Sequence, residues 1–287
     1  MTSQTAGAGR PALAQPDLAG RPRAVPPAAR RSGFAGTMRS EFTKIRSVRS
    51  TYFTMIAFFA AGVTFAFAAT AGNRSNAGQA SFDPTAYSLR GAVALGELII
   101  VVIGALVITS EYGTRMVSAS LTAMPRRGVL YLAKAVILTC VTLVVALITS
   151  FASFFVGQAV LASTHHGASI TSPGALRAVL LSVVFETCCA LLAFGLGAII
   201  RYTAGAITVL FGVIFLIPLL AQILPTSWDD TIVRWLPGGR ALGPISAAKP
   251  LPDGSYLFGP YGQVAVFAGY AAIALIVGAV LFRRRDA

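Results

Sequence analysis

Long apolar runs separated by short polar breaks dominate this chain. Tyr52–Gly72, Ala135–Leu161, Tyr202–Leu224 and Val264–Phe282 carry no charged residue, while Ala92–Ser110 and Ala178–Ile200 carry one each, Glu97 and Glu186. About 20 apolar residues take a helix across the hydrocarbon of a bilayer. A backbone in lipid must satisfy its own hydrogen bonds, and none of the runs has the period-2 alternation of a membrane barrel, so each predicts a helix. The six spans are placed at 52–72, 92–110, 135–161, 178–200, 202–224 and 264–282.

Ahead of the first run, Met38 to Ser50 repeats apolar residues at helical spacing. Met38, Phe42, Ile45 and Val48 share one arc, with Arg39, Arg46 and Arg49 beside it. This is the pattern of a helix lying in the membrane interface, and it would also suit a helix packed on a partner protein. Residues 1–37 are rich in Pro, Ala, Gly and Arg, contain no apolar run and cannot bury a core. They are expected to form a disordered cytoplasmic tail, and they lack the apolar centre of a signal peptide. Residues 38–287 then form one six-helix transmembrane domain. Between spans two and three, residues 111–130 predict a structured connector helix. The fold class is an all-α integral membrane protein.

Composition agrees. Hydrophobic residues make up 55% of the 287 and charged residues only 11%, with a mean hydropathy of +0.73, against about 25% charged in soluble domains. The net charge of +13 admits nucleic acid or an anionic membrane face as a partner. Placement decides between them. Twelve basic residues, among them Arg39, Lys44, Arg115, Lys134 and Arg201, flank one side of the predicted spans, and six, among them Arg74, Arg177 and Lys249, flank the other. The excess puts the first set, with both termini, in the cytoplasm of a multi-pass plasma-membrane protein, and accounts for the charge without nucleic acid. Cys140, Cys188 and Cys189 all lie in apolar runs and form no disulfide framework.

The connector is the most informative polar segment. It reads Glu111-Tyr112-Gly113-Thr114, then a mixed helix, then Pro125-Arg126-Arg127. Tyr112, Met116, Ala119 and Ala123 share one arc, and Val117, Leu121 and Met124 take nearly the opposite one. Two apolar faces suit burial between the membrane base and a partner, although an ordinary loop helix has the same pattern. Pro125 disfavours helix at Met124. Glu97 and Glu186 stand out because a charge near the bilayer centre costs about 2.5–3.5 kcal/mol on insertion scales. Glu186 is placed near the midplane and Glu97 nearer the outer end. They are candidate pathway residues or carboxyls that only hold the bundle together. His165-His166, without a third ligand, make a weak metal signal, and an exposed polar loop explains them better. No His-Glu-x-x-His or Gly-x-Ser-x-Gly occurs, and none of the three lysines, Lys44, Lys134 and Lys249, follows a glycine as a Walker A loop requires. The chain is therefore not expected to be an enzyme or to bind a cofactor or metal, and any ATP hydrolysis falls to another polypeptide.

The stretch from Ser110 through Met116, continuing through Ser120-Leu121-Thr122-Ala123-Met124-Pro125-Arg126-Arg127, resembles the connector of ABC type-2 transporter permeases. The basic start Glu41-Phe42-Thr43-Lys44-Ile45-Arg46 is similar to that family's opening. The single-residue break at Arg201 and the long last external loop fit as well, so the resemblance covers roughly residues 38–285. It implies a membrane subunit, generally of an exporter, that pairs with a second copy or a paralogue. It also implies docking of an ATP-binding subunit on Glu111, Tyr112, Gly113, Thr114, Met116, Val117, Leu121, Pro125 and Arg126. Trp228, Trp235, Leu236 and Pro237 would belong to a re-entrant interfacial element. Two other classes remain open at this point: an ion- or proton-coupled transporter using Glu97 and Glu186, and a scaffold or sensor subunit that transports nothing.

Overall fold

The computed structural model describes residues 34–47, 49–113, 127–221, 223, 242–249 and 258–284. The tail before Phe34 lies outside them. So do connector residues 114–126, including Thr114, Met116, Val117, Leu121, Pro125 and Arg126, and external residues Trp228, Trp235, Leu236 and Pro237. Among the described residues there is no strand. The helices are α1 (Phe34–Ser47), α2 (Arg49–Gly72), α3 (Pro84–Gly113), α4 (Arg127–Leu161), α5 (Ala175–Ile200), α6 (Thr203–Phe211), α7 (Ile217–Ala221), α8 (Leu242–Ser246) and α9 (Pro260–Arg284). Six helical stretches are long and apolar enough to cross a membrane: Thr51–Gly72, Pro84–Ser110, Arg127–Thr164, Ala175–Ile200, Thr203–Leu220 and Pro260–Arg284.

Three boundaries differ from the hydropathy reading, each for a local reason. α1 starts at Phe34, four residues before Met38, and Thr37 is already buried. α3 starts at Pro84 rather than Ala92. Asp83 caps it, its Oδ1 accepting from the backbone N–H of Thr85 at 2.9 Å and of Ala86 at 3.1 Å. Pro84 takes the first helical position, where its missing N–H costs nothing. α4 starts at Arg127 rather than Ala135, because Tyr131 and Lys134 in its first two turns are buried by other helices.

The fifth span is interrupted. α6 widens into a π-helical turn over Gly212–Leu216 before α7 resumes. Pro218 lacks an N–H and its ring would collide with the carbonyl of Ile214 in a regular helix. The wider turn relieves that collision within an apolar segment. At the fourth-to-fifth turn Arg201 adopts a left-handed conformation (φ 60°), its N–H closing α5 on the carbonyl of Gly197 at 2.8 Å.

α3 and α5 form the centre. Of the most apolar window of each span, 61% and 72% is buried for α3 and α5, against 22% for α2. Around this pair pack α2, α4 and α9. In lipid, close backbone approach replaces the hydrophobic drive of water, and Gly104 supplies it here: a Cβ at that position would strike the backbone carbonyl of Ala190 on α5. Phe185 and Phe267 seal α5 against α9 edge-on, with ring centroids 4.4 Å apart. The outer faces stay apolar and uncovered, with Phe53, Ile56 and Phe67 on α2, Leu219 and Leu220 on α7 and Ile273 and Ile276 on α9.

Candidate functional site

Two groups of residues gather at the end of the bundle that carries α1. The first surrounds Glu41. Its Oε2 lies 2.6 Å from Lys134 Nζ on α4, and its Oε1 lies 2.7 Å from Lys44 Nζ one turn along α1. Glu41 and Lys134 are both nearly inaccessible to solvent, so the pair is a buried tie between the interfacial helix and the start of the third span. Burial alone would raise the Glu41 carboxyl, but Lys134 first and then Lys44 outweigh it and hold the group below its ordinary value. The hydropathy reading counted Lys134 only as a topological charge. The available signal was a lysine eight residues into a long apolar helix.

The second group fixes the last turn of α3, where the connector begins. The Arg201 guanidinium sits over the Tyr112 ring, 5.2 Å from its centroid. Thr203 donates its hydroxyl to Thr109 Oγ1 at 2.7 Å. Glu111 and Gly113 complete that turn of helix. On the other side of the connector, the first turn of α4 is held by α9. The Tyr131 hydroxyl donates to the Leu275 carbonyl at 3.1 Å, and the Tyr131 ring packs on Phe194 and Phe282. Gly128 leaves room for the Arg283 guanidinium, since a Cβ there would lie 2.6 Å from its Nη2. The two described helix ends that flank residues 114–126 are thus fixed points: α3 is tied to the α5–α6 turn, and α4 to α1 and α9.

The carboxyls lie deeper. Glu97 on α3 and Glu186 on α5 are both fully buried and close enough to interact electrostatically. Cys189 Sγ donates to Glu97 Oε1 at 3.6 Å. α3 and α5 run in the same direction, and with α3 beginning at Pro84, Glu97 is thirteen residues into its helix and Glu186 eleven into its own. At 1.5 Å per residue these are rises of roughly 20 Å and 17 Å along the two helices. Both side chains face the interior of this chain and not its uncovered faces. Among the described residues, Glu97 Oε2 and both Glu186 oxygens have no hydrogen-bond partner. His165 and His166 occupy the loop after α4, and no metal-binding group of His, Cys, Asp or Glu forms among the described residues.

This arrangement defines a class: a multi-pass, all-α membrane protein with an amphipathic first helix tied into a six-span bundle, which fits a membrane transport component. A family model, that of ABC-2 family transporter proteins, matches residues 37–218. It runs from Thr37 in α1 through the first four spans to all but the last two residues of the fifth span's candidate stretch, well over half of the chain, so the chain belongs to the ABC-2 transporter family. No curated protein sequence matches it significantly.

Proposed function

We propose that the chain is the permease subunit of an ABC exporter, driven by a separate ATP-binding subunit that docks on residues 111–127 at the cytoplasmic face. The anchoring of the two helix ends that flank residues 114–126 carries this reading. Tyr112 is held by Arg201 and α4 is held through Glu41–Lys134 and Tyr131–Leu275. A push on the connector therefore reaches α3, α4, α5 and α9 as rigid bodies, which is what coupling ATP closure to transport requires. Termini in the cytoplasm follow from the excess of basic residues at the α1 end. The uncovered apolar faces of α2, α7 and α9 suit lipid and a second permease copy or paralogue, with the pathway between the two.

The test places charge on the connector. Val117→Asp, Leu121→Asp and Met116→Asp, made singly in the full chain, should weaken co-purification of a Walker A ATP-binding subunit co-expressed from an adjacent gene while membrane insertion stays normal. An unchanged ATPase yield with all three refutes docking at this segment. A second reading, ion- or proton-coupled transport, draws on the unpartnered oxygens of Glu97 and Glu186. Transport by the chain in vesicles free of any ATPase would favour it.

A further inference from the structure

At the end of the bundle opposite α1, a cavity of about 690 Å³ opens between the loop before α3, the loop before α5 and the segment after α8. Its described walls carry four nitrogen-bearing side chains, Arg177, Lys249, His166 and Gln79, and two hydroxyls, Thr85 and Ser172. Asp83 is its acid, and that carboxylate is already occupied. Oδ1 takes the N–H groups of Thr85 and Ala86, and Oδ2 takes those of Ala248 at 2.8 Å and Lys249 at 2.9 Å. Arg177 is positioned from behind, its Nη2 donating to the carbonyls of Ala247 at 2.9 Å and Ala248 at 3.3 Å. Lys249 Nζ is held on the Phe82 carbonyl at 2.8 Å.

Among the described residues, two donors in this wall have no hydrogen-bond partner. Thr85 is fully buried and its Oγ1 has no partner, and Arg177 Nε is buried and has none. Buried polar groups are normally satisfied, and an orphan of this kind calls for an unseen partner. Among the described lining residues the two fixed cations exceed the one acid, which favours an anion as that partner. A hydroxyl, a guanidinium and an ammonium reaching one cavity from different elements suit a tetrahedral oxyanion. The volume falls within the 300–1,000 Å³ range of small-molecule sites and is much larger than a bare ion needs.

We propose that this cavity binds a phosphate ester, with the phosphate against Thr85, Arg177 and Lys249 and the alcohol portion toward Ser172 and His166. The same chemistry reaches this end of the bundle from two sources: a soluble phosphorylated alcohol, or the headgroup of an anionic phospholipid at the membrane surface. The site stands apart from the connector and from the buried carboxyls, and does not depend on the transport reading.

The test uses the full chain in phosphatidylcholine nanodiscs. Glycerol 3-phosphate and inorganic phosphate are titrated by calorimetry, and in a second arm retained phosphatidylglycerol is counted by native mass spectrometry. Saturable one-to-one binding of glycerol 3-phosphate identifies a soluble ligand, and selective retention of phosphatidylglycerol identifies a lipid. In either case Thr85→Val, which keeps the side-chain shape, and Arg177→Lys, which keeps the charge but loses Nε, should each weaken binding by about tenfold or more. Thr85→Val should not lower the melting temperature of the ligand-free protein, because its hydroxyl bonds to nothing there. Binding of neither ester, binding that neither variant weakens, or equal affinity for inorganic phosphate and the ester overturns the proposal.

Discussion

Replacing Lys134 by Met should release α1 from the bundle without unfolding the spans. Glu41 and Lys134 are 2.6 Å apart and both almost fully buried. Removing one partner of a buried pair costs about 3–5 kcal/mol, because the remaining charge is left uncompensated. Lys44 is partly exposed and still pairs with Glu41, so Lys134→Met belongs near the lower figure. At about 1.4 kcal/mol per factor of ten, 3 kcal/mol is roughly a hundredfold. Glu41→Gln should cost as much or more, because it strands Lys134 in the bundle, although its long stem can carry the ammonium part of the way to the surface. The readout is amide hydrogen exchange of residues 34–47 in detergent or nanodiscs. Those amides should exchange about a hundredfold faster in either single variant, with α3 and α5 unchanged. The double variant Glu41→Gln/Lys134→Met should recover most of the protection, since the two effects are coupled. Exchange within about threefold of wild type in both single variants, or strict additivity in the double, would refute the view that this pair fixes α1.

Four further outcomes are expected. Acid should loosen α1: the Glu41 carboxyl is lowered from its ordinary 4.5, so its contribution is complete above that value and is lost as the pH falls through the lowered one, which a pH series of α1 exchange in the intact protein reads directly. Gly104→Ala should cost about 1–3 kcal/mol by forcing a methyl against the Ala190 carbonyl, seen as a lower melting temperature, whereas Gly269→Ala on α9, which meets open space, should not. For topology, impermeant maleimide on intact cells should label Ser75→Cys and Ser255→Cys but not Ser118→Cys, and Glu186→Gln should leave assembly intact while altering transport; surface labelling at position 118 reverses the orientation, and normal transport by both Glu186→Gln and Glu186→Ala removes that residue from the mechanism.

The spans were legible because charge-free runs of this length have one physical solution in a bilayer. Their ends were less so. The eight residues from Pro84 to Gly91 contain Arg90 and three hydroxyl-bearing residues, which lowered their hydropathy, yet Asp83-Pro84 is a helix start that could have been read directly. Contacts between distant positions left no periodic trace. Nothing local ties Glu41 to Lys134, ninety-three residues apart, or Arg177 to the carbonyls of Ala247 and Ala248. The Cys189 contact with Glu97 was hidden in the same way, and both adjacent cysteines read as packing residues. The connector was recognisable by resemblance alone, and its middle lies outside the described residues.

The central claim is that the connector touches an ATP-binding subunit. A photo-crosslinking amino acid placed at Val117 or Leu121 in the full chain, expressed with a Walker A polypeptide from an adjacent gene, tests it most directly. The account predicts a crosslink to that polypeptide at one or both positions, and none from a control at Phe59 on the uncovered face of α2. Crosslinks from both connector positions only to lipid or to the chain itself would contradict it.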